Sequence, residues 1–442
     1  MSADAGFFAH ARTHLARTAV LRPQGRVRAC SGQAVEVTGL ARPLGARCRI
    51  ASERAQPVDA QVVGFRHGAL LLMPFASAEG LQPGARVWPL DGAEQVPLAR
   101  ACLGRVIDGR GNPIDGGPPL VLSGRAGVQA RPVGALLREP IHRSLDVGVR
   151  AINGLLSIGR GARMGLFAGS GVGKSTLLGQ VARYTEAEYR VIALVGERGR
   201  EVREFIERDL GDALAHSIVV VATSDEAALL RVRAAQLATA LAEQLRDAGG
   251  HVLLLMDSLT RFSLAVREIG LVAGEPPTTR GYTPSVFSTL PQLLERAGAV
   301  EGGGSITGIY SVLVEGDDPD EPIADAARSM LDVHIWLTRE LAERGHFPPI
   351  DVGRSVSRVM AEVASPAHRA LASRARDLLA AWRDAHDLIS IGAYVDGSDP
   401  RVDEARRRIG DIDAFLRQDV AERSDWRGAV EGLRQVLEGG AS

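Results

Sequence analysis

The chain has 442 residues, enough for roughly two to four domains with a sizeable core. Its hydrophobic content of 45%, charged content of 24% and formal net charge of −1 fit a soluble globular protein with no global pull toward nucleic acid or anionic lipid. Aromatic residues make up only 4%, which disfavours base-stacking platforms for single-stranded nucleic acid. The three cysteines, Cys30, Cys48 and Cys102, form no C-x-x-C pair, so they suggest neither a zinc site nor a disulfide framework and fit a reducing cytoplasm. No apolar run approaches the ~18 residues of a membrane span, and the amino terminus lacks an apolar signal core. The expectation is a soluble, cytoplasmic protein.

In residues 1–21, Phe7, Phe8, Ala11, Leu15 and Val20 share a helical stripe with Arg12, His14 and Arg17 between them. A basic amphipathic segment of this kind suits a partner helix or a membrane surface, and equally a helix packed on its own domain. Across residues 22–99, short runs at 33–38, 46–50, 60–65 and 69–73 alternate with Gly, Pro and polar turns, the spacing of a small β-barrel or sandwich. No chemical constellation lies there, which leaves oligomer contact or attachment as its job.

A turn-dense bridge at 104–117 leads into alternating strand and helix patterns that extend to about residue 364, the signature of an α/β domain with a parallel sheet. Residues 190–195, 217–222, 252–256, 305–314 and 333–337 read as strands. Residues 223–226 read as a capping box for a long helix stopping at Gly249, and 258–272 as another helix. From 365 to 442 the pattern is helical only, with helices over 366–388, 400–417 and 426–437. Pro366 and Pro400 take first helical positions behind Ser365 and Asp399 caps.

The stretch Ala168-Gly-Ser-Gly-Val-Gly-Lys-Ser175 follows an apolar run and opens a helical pattern, the context in which a phosphate-binding loop works. Gly169, Gly171 and Gly173, with Ser170 and Val172 between them, let successive N–H groups converge on one anion. The helix entered through Lys174, Ser175 and Thr176 adds its positive amino-terminal end. Lys174 would reach the β- and γ-phosphates, and the Ser175 hydroxyl would hold Mg²⁺. Ala168 replaces the first glycine of the strict motif, and the bland alternative is a Gly-rich turn before an ordinary helix. The expectation is a nucleoside triphosphate site.

Asp257 ends the apolar run 251–256. The carboxyl ends of parallel strands line the ligand crevice, so Asp257 is expected beside Lys174 and Ser175, binding Mg²⁺ through its water shell. It also suits an N-cap for the next helix, and both roles are compatible. Glu197 ends another strand run, where a carboxylate could orient and deprotonate the attacking water; the alternative is a Glu salt-bridged among Arg198, Arg200 and Arg203. Arg358, in Ser355-Val-Ser-Arg358, is by composition one of 52 Lys plus Arg, with surface solvation as its default. A guanidinium from a neighbouring subunit is one way to stabilise charge on the γ-oxygens.

Together with these motifs, residues 196–206, Arg267-Glu-Ile-Gly270, Gly274-Glu-Pro-Pro277, residues 281–287, Gly304-Ser-Ile-Thr307, Glu315-Gly-Asp-Asp318, Pro322-Ile-Ala-Asp325 and Gly345-His-Phe-Pro-Pro-Ile-Asp351 resemble, in one order, the ATPase of type III protein export, cousin to the catalytic subunit of rotary ATP synthases. The resemblance implies an α/β, RecA-like P-loop NTPase core (100–364) with an N-terminal β-barrel (22–99), a C-terminal helical domain (365–442) and an amphipathic N-terminal helix (1–21). It implies ATP and Mg²⁺ bound between subunits of a homohexamer. Glu197 becomes the catalytic base, Arg198 a residue that helps order the phosphate site, and Arg358 an arginine finger acting in trans. Phe347 matches an aromatic position that packs on adenine in the rotary relatives, where Tyr is common; plain core packing is its alternative.

Residues 281–287 resemble the loop facing the ring's central channel, and the acidic loop 315–320 matches without an assignable chemical role. Rotary synthases take the finger from a partner chain that lacks a working base. This chain carries both Glu197 and Arg358, which fits export ATPases better. Residues 391–405, with Val62-Val-Gly-Phe65 and Leu72-Met-Pro74, look more like the flagellar branch than the virulence injectisome branch. The resemblance further implies hydrolysis coupled to handling export chaperones and substrates, a membrane export gate, and a regulatory stator-like partner for 1–21. It implies a cytoplasmic location at the inner-membrane export apparatus and no nucleic acid. The rivals are an injectisome ATPase, a RecA-fold nucleic-acid motor, and a regulatory subunit without turnover.

Overall fold

The computed structural model describes residues 23–52, 56–90, 96–123, 127–128, 130, 132–314, 316, 318 and 320–439. The predicted helix at 1–21 lies outside the described residues, as do Glu315, Asp317 and Pro319 of the acidic loop. The chain divides into two compact units, one ending at Gly92 and taking in Glu268–Pro276, the other holding Ala93–Arg267 and everything from Pro277 onward.

In the first unit, β1 (Gly25–Ser31), β2 (Ala34–Thr38), β3 (Arg47–Ile50), β4 (Val58–Arg66), β5 (Ala69–Pro74) and β6 (Arg86–Pro89) close into a barrel in the order β1-β2-β5-β4-β3-β6. The period-2 rule shows directly: Val35 and Val37 of β2, Cys48 and Ile50 of β3, and Ala60 and Val62 of β4 are buried, with half-exposed residues between them. Burial pushes the Cys48 thiol up to about 11, so it serves as a small hydrophobe. Of the two architectures the spacing allowed, the chain takes the barrel. Closure removes the unpaired edges a small sandwich would expose.

The second unit is built on a nine-stranded sheet: β7 (Arg105–Asp108), β8 (Arg163–Ala168), β9 (Tyr189–Val195), β10 (Ser217–Ala222), β11 (His251–Asp257), β12 (Gly298–Ala299), β13 (Ser305–Leu313), β14 (Val333–Trp336) and β15 (Val356–Ser357). Its order is β15-β14-β8-β13-β11-β9-β10-β7, with β12 pairing on β13. Every neighbour from β14 through to β7 is parallel, and only β12 and β15 run antiparallel. The inner strands β10 and β11 are buried at every position, as expected where both faces of a parallel sheet are covered. The helix α1 (Lys174–Tyr184) follows β8, and α2 (Ala228–Asp247) packs on β9, β10 and β11.

The capping box at 223–226 is half right. Glu226 accepts the Thr223 N–H at 2.9 Å, yet the chain turns once more and α2 opens only after Ala227. Gly249, at φ 91°, ends the helix by giving its N–H to the Arg246 carbonyl (2.8 Å). After β14 comes the short helix α3 (Arg339–Glu343). The helices α4 (Pro366–Ser390), α5 (Pro400–Leu416) and α6 (Trp426–Glu438) are capped by Ser365, Asp399 and Asp425, which accept the N–H groups of His368, Arg401 and Gly428. Leu371 and Ala375 of α4, Ile412 and Phe415 of α5 and Leu433 of α6 share one continuous core with Met164 and Leu166 of β8.

The motif Gly304-Ser-Ile-Thr owes its glycine to a close backbone approach. A Cβ on Gly304 would stand 2.1 Å from the Gly250 carbonyl oxygen and 2.6 Å from that of Arg246. Backbone on two sides has little room to give, so Gly304→Ala should lower the unfolding free energy by ~2 kcal/mol or more. An unchanged urea midpoint at constant slope would contradict this.

Candidate active site

The strand β8 is buried from Met164 to Ala168 and runs straight into the glycine loop. Gly171 (φ 77°) and Gly173 (φ 92°) occupy the left-handed region, which lets the loop turn its N–H groups inward and enter α1 at Lys174. Val172 is buried and pins the loop to the core, while Ser170, Gly171 and Ser175 are exposed and Thr176 is half-buried. Gly169 is buried at the strand end.

Register decides what meets the loop. Ala168 of β8 pairs with Leu313 of β13, Tyr310 of β13 with Met256 of β11, and Asp257 with Leu194 of β9. Asp257 and Glu197 therefore emerge on the same edge of the sheet as the loop. The Lys174 ammonium is hydrogen-bonded to Asp257 Oδ1 and lies 3.8 Å from Glu197 Oε1. Asp257 is only 3% exposed, and the Ser311 hydroxyl donates to its Oδ1 at 2.5 Å. A carboxylate that deep needs such partners, because an unpaired buried charge is strongly destabilising.

Glu197 has less support. Its Oε1 is buried without a hydrogen-bond partner, and so is the nearby Arg261 Nε. Burial first, then the negative charge of Asp257, pushes the Glu197 carboxyl up to about 7, with Lys174 pulling the other way. It therefore gains and loses a proton near neutrality, as a general base must. The alternative of a salt-bridged Glu finds no support among its neighbours. Arg198, Arg200 and Arg203 pair instead with Glu201, Glu204 and Glu207 on the surface. The Arg198 side chain is 80% exposed and 3.9 Å from Glu201.

Phe347 is 46% exposed, and its ring flanks the loop, 3.8 Å from where a Cβ on Gly173 would stand. An aromatic ring so open is not core packing. Arg358 lies elsewhere. It follows β15, whose Ser357 pairs with Val333, and Val333 in turn pairs with Met164 at the start of β8. Arg358 thus sits at the amino-terminal edge of the sheet, exposed, with its guanidinium on the Arg328 carbonyl (3.3 Å), away from its own glycine loop. Ser355 fixes that segment by donating to the Asp351 carbonyl (2.6 Å) and accepting the Trp336 N–H (2.9 Å). Residues 281–287 form a turn and the first residues of the helix Pro284–Leu294, and Arg280 beside them pairs with Asp318 of the acidic loop at 2.6 Å.

Three residues escaped the sequence reading. Ser311 carried a faint signal, a polar residue amid an apolar buried strand. Arg261, four residues past Asp257, closes the stretch 253–261 that shares in the family resemblance but had no role assigned. Arg339, whose Nη2 donates to the Ser170 carbonyl at 3.1 Å, carried no signal among so many arginines.

Residues 148–357 match the ATP synthase alpha/beta family, nucleotide-binding domain, and residues 364–435 match the T3SS EscN ATPase C-terminal domain. The flagellum-specific ATP synthase of Salmonella typhimurium is 49% identical over 429 residues, covering 94% of each chain. The chain belongs to the flagellar and type III secretion ATPase family. Within this ATPase family, the type 3 secretion system ATPase of Xanthomonas euvesicatoria is 46% identical over 96% of both chains. Among solved structures, the assembled ATPase EscN of the enteropathogenic E. coli type III secretion system matches with a TM-score of 0.89 at 41% identity, covering 93% of this chain and 100% of that one. The same ATPase in complex with its central stalk EscO matches with a TM-score of 0.86.

Raised from an ordinary 4.5 to about 7, Glu197 binds its proton more tightly in the folded ATPase than in the unfolded chain. The stability this gives is present below the unfolded value and is lost as pH rises through the folded one. In nucleotide-free protein with a chelator, Glu197→Gln should therefore melt higher than the parent at about pH 8, and lose less Tm between about pH 5 and 8. Superimposable Tm–pH curves would contradict this.

Proposed function

We propose that this chain is the ATPase of a flagellar protein-export apparatus, hydrolysing Mg-ATP at the interfaces of a homohexamer and coupling turnover to the handling of export substrates and their chaperones. One observation carries the chemistry: Lys174, Asp257 and Glu197 converge at the mouth of the glycine loop, while Arg358 stands at the other edge of the same sheet. The loop N–H groups of residues 169–175 and the Lys174 ammonium take the β- and γ-phosphates, so that Lys174 exchanges Asp257 for phosphate when ATP enters. A hydroxyl at Ser175 and a carboxylate at Asp257 suit a hard divalent cation held partly through water. Bound Mg²⁺ would neutralise charge on the phosphates.

Glu197 orients the attacking water and accepts its proton. Phe347 offers a face to adenine. Arg358 of the next subunit stabilises the charge that develops on the transferred phosphoryl group. Arg198 contributes to phosphate-site order only if its exposed side chain turns inward once a neighbour is present.

The relatives support assembly. EscN is described as assembled and in complex with a central stalk, and this chain covers all of it at 41% identity. We extend the ring and a stalk-like partner to this chain, together with a regulatory stator-like partner for segment 1–21. No described helix is long and apolar enough to cross a membrane, which suits peripheral attachment at an export gate. The second reading, an injectisome ATPase, is favoured by the Xanthomonas relative at 46% identity. Deleting the gene decides between them: lost motility supports the flagellar reading, and lost effector secretion with intact motility overturns it.

Glu197→Gln should abolish hydrolysis while leaving nucleotide binding intact. Arg358→Ala should cut turnover ~10³-fold or more with little change in nucleotide affinity. Mixing Arg358→Ala with Lys174→Ala subunits should restore part of the activity, since one keeps the loop and the other the finger. Mixed rings with no activity would remove the in-trans role.

A further inference from the structure

A phosphate-binding loop works only if its peptide planes face the right way. Successive N–H groups must point at the anion, so the carbonyls must point outward. Most of this loop is held by packing: Val172 is buried, and Gly173 lies against Phe347. Its tip is not. Ser170 and Gly171 are exposed, and a Cβ on Gly171 would meet nothing within 4 Å. Gly171 also has φ 77°, a residue type and conformation in which the preceding peptide turns over readily.

The contact made at that tip comes from Arg339, whose Nη2 donates to the Ser170 carbonyl at 3.1 Å. Arg339 has firm footing. It opens α3 directly after β14, where the Leu337 N–H bonds the Phe167 carbonyl (2.9 Å) and the Thr338 N–H bonds the Pro349 carbonyl (3.0 Å). Residues 338–349 are thus closed on themselves and grip the glycine loop at two points, with Arg339 on Ser170 and Phe347 on Gly173.

We propose that Arg339 is a positioning residue for the phosphate-binding loop, holding the Ser170 carbonyl outward so that the Gly171 N–H is already turned toward the phosphates before ATP arrives. In a planar trans peptide the carbonyl and the following N–H point in opposite directions, so fixing one fixes the other. A charged donor on the carbonyl also draws its negative end away from the anion. The inference rests on the reading of residues 168–175 as an ATP site.

The test uses full-length protein, with mant-ATP for affinity and hydrogen exchange of peptides spanning 168–175 in the nucleotide-free state. Binding by the parent and its loss in Lys174→Ala establish the ATP site itself, and their failure would overturn that reading rather than this one. Arg339→Ala should weaken mant-ATP binding about tenfold and raise KM to match, with kcat falling less than about threefold. It should also speed exchange in the nucleotide-free loop at an unchanged Tm, and Arg339→Lys should recover most of the affinity. If Arg339→Ala does not fold, Arg339→Gln reads the same outcomes. Unchanged affinity overturns the proposal. Weaker binding with unchanged exchange in the nucleotide-free loop overturns it too, because Arg339 would then act on the nucleotide directly.

Discussion

The site depends on one buried contact, the Lys174 ammonium on the Asp257 carboxylate. Either charge alone at that depth would be strongly destabilising, so the two presuppose each other. Their meeting requires β8 and β11 to lie one strand apart, separated by β13, with Asp257 in register with Leu166, two residues before Ala168 leads into the glycine loop. The strand between them contributes Ser311, which takes up the same carboxylate oxygen. Burial, and then the negative charge of Asp257, raise the proton affinity of Glu197 beside it, with Lys174 pulling the other way. The two neighbouring carboxylates thus differ in surroundings: Asp257 is held by Lys174 and Ser311, while Glu197 Oε1 has no hydrogen-bond partner.

The sheet also separates the two halves of the proposed chemistry. The glycine loop, Asp257 and Glu197 lie at the carboxyl edge of the parallel strands, and Arg358 at the amino edge. Six residues of β8 at ~3.3 Å each put those edges about 20 Å apart. A chain built this way cannot bring its own Arg358 to its own phosphates, whereas a ring of identical chains can. On this reading oligomerisation follows from strand length.

Much of the fold was legible locally. The glycine loop, the terminal aspartate of β11, the caps at Ser365 and Asp399 and four of the barrel strands each depend on residues within a few positions of one another. The less legible elements are those that partners define. The strand β1 buries only Gly25 and Val27 among charged neighbours, β15 is two residues long, and α2 starts later than its capping box suggests. Arg198 sits in a strongly recognisable stretch, yet its side chain is 80% exposed, 3.9 Å from Glu201.

By itself the sequence determined the phosphate loop, its strand-and-helix setting, the carboxylates at strand ends and the barrel–sheet–helix order of the chain. These follow from side-chain periodicity and backbone chemistry that act over short spans. Only the tertiary structure decided that Ser311 backs Asp257, that Arg261 lies near Glu197, that Arg339 reaches Ser170 and that Arg358 occupies the far edge. Those pairings depend on sheet register across strands that lie far apart in the chain. A register is a property of the assembled sheet, and no single stretch of residues encodes it.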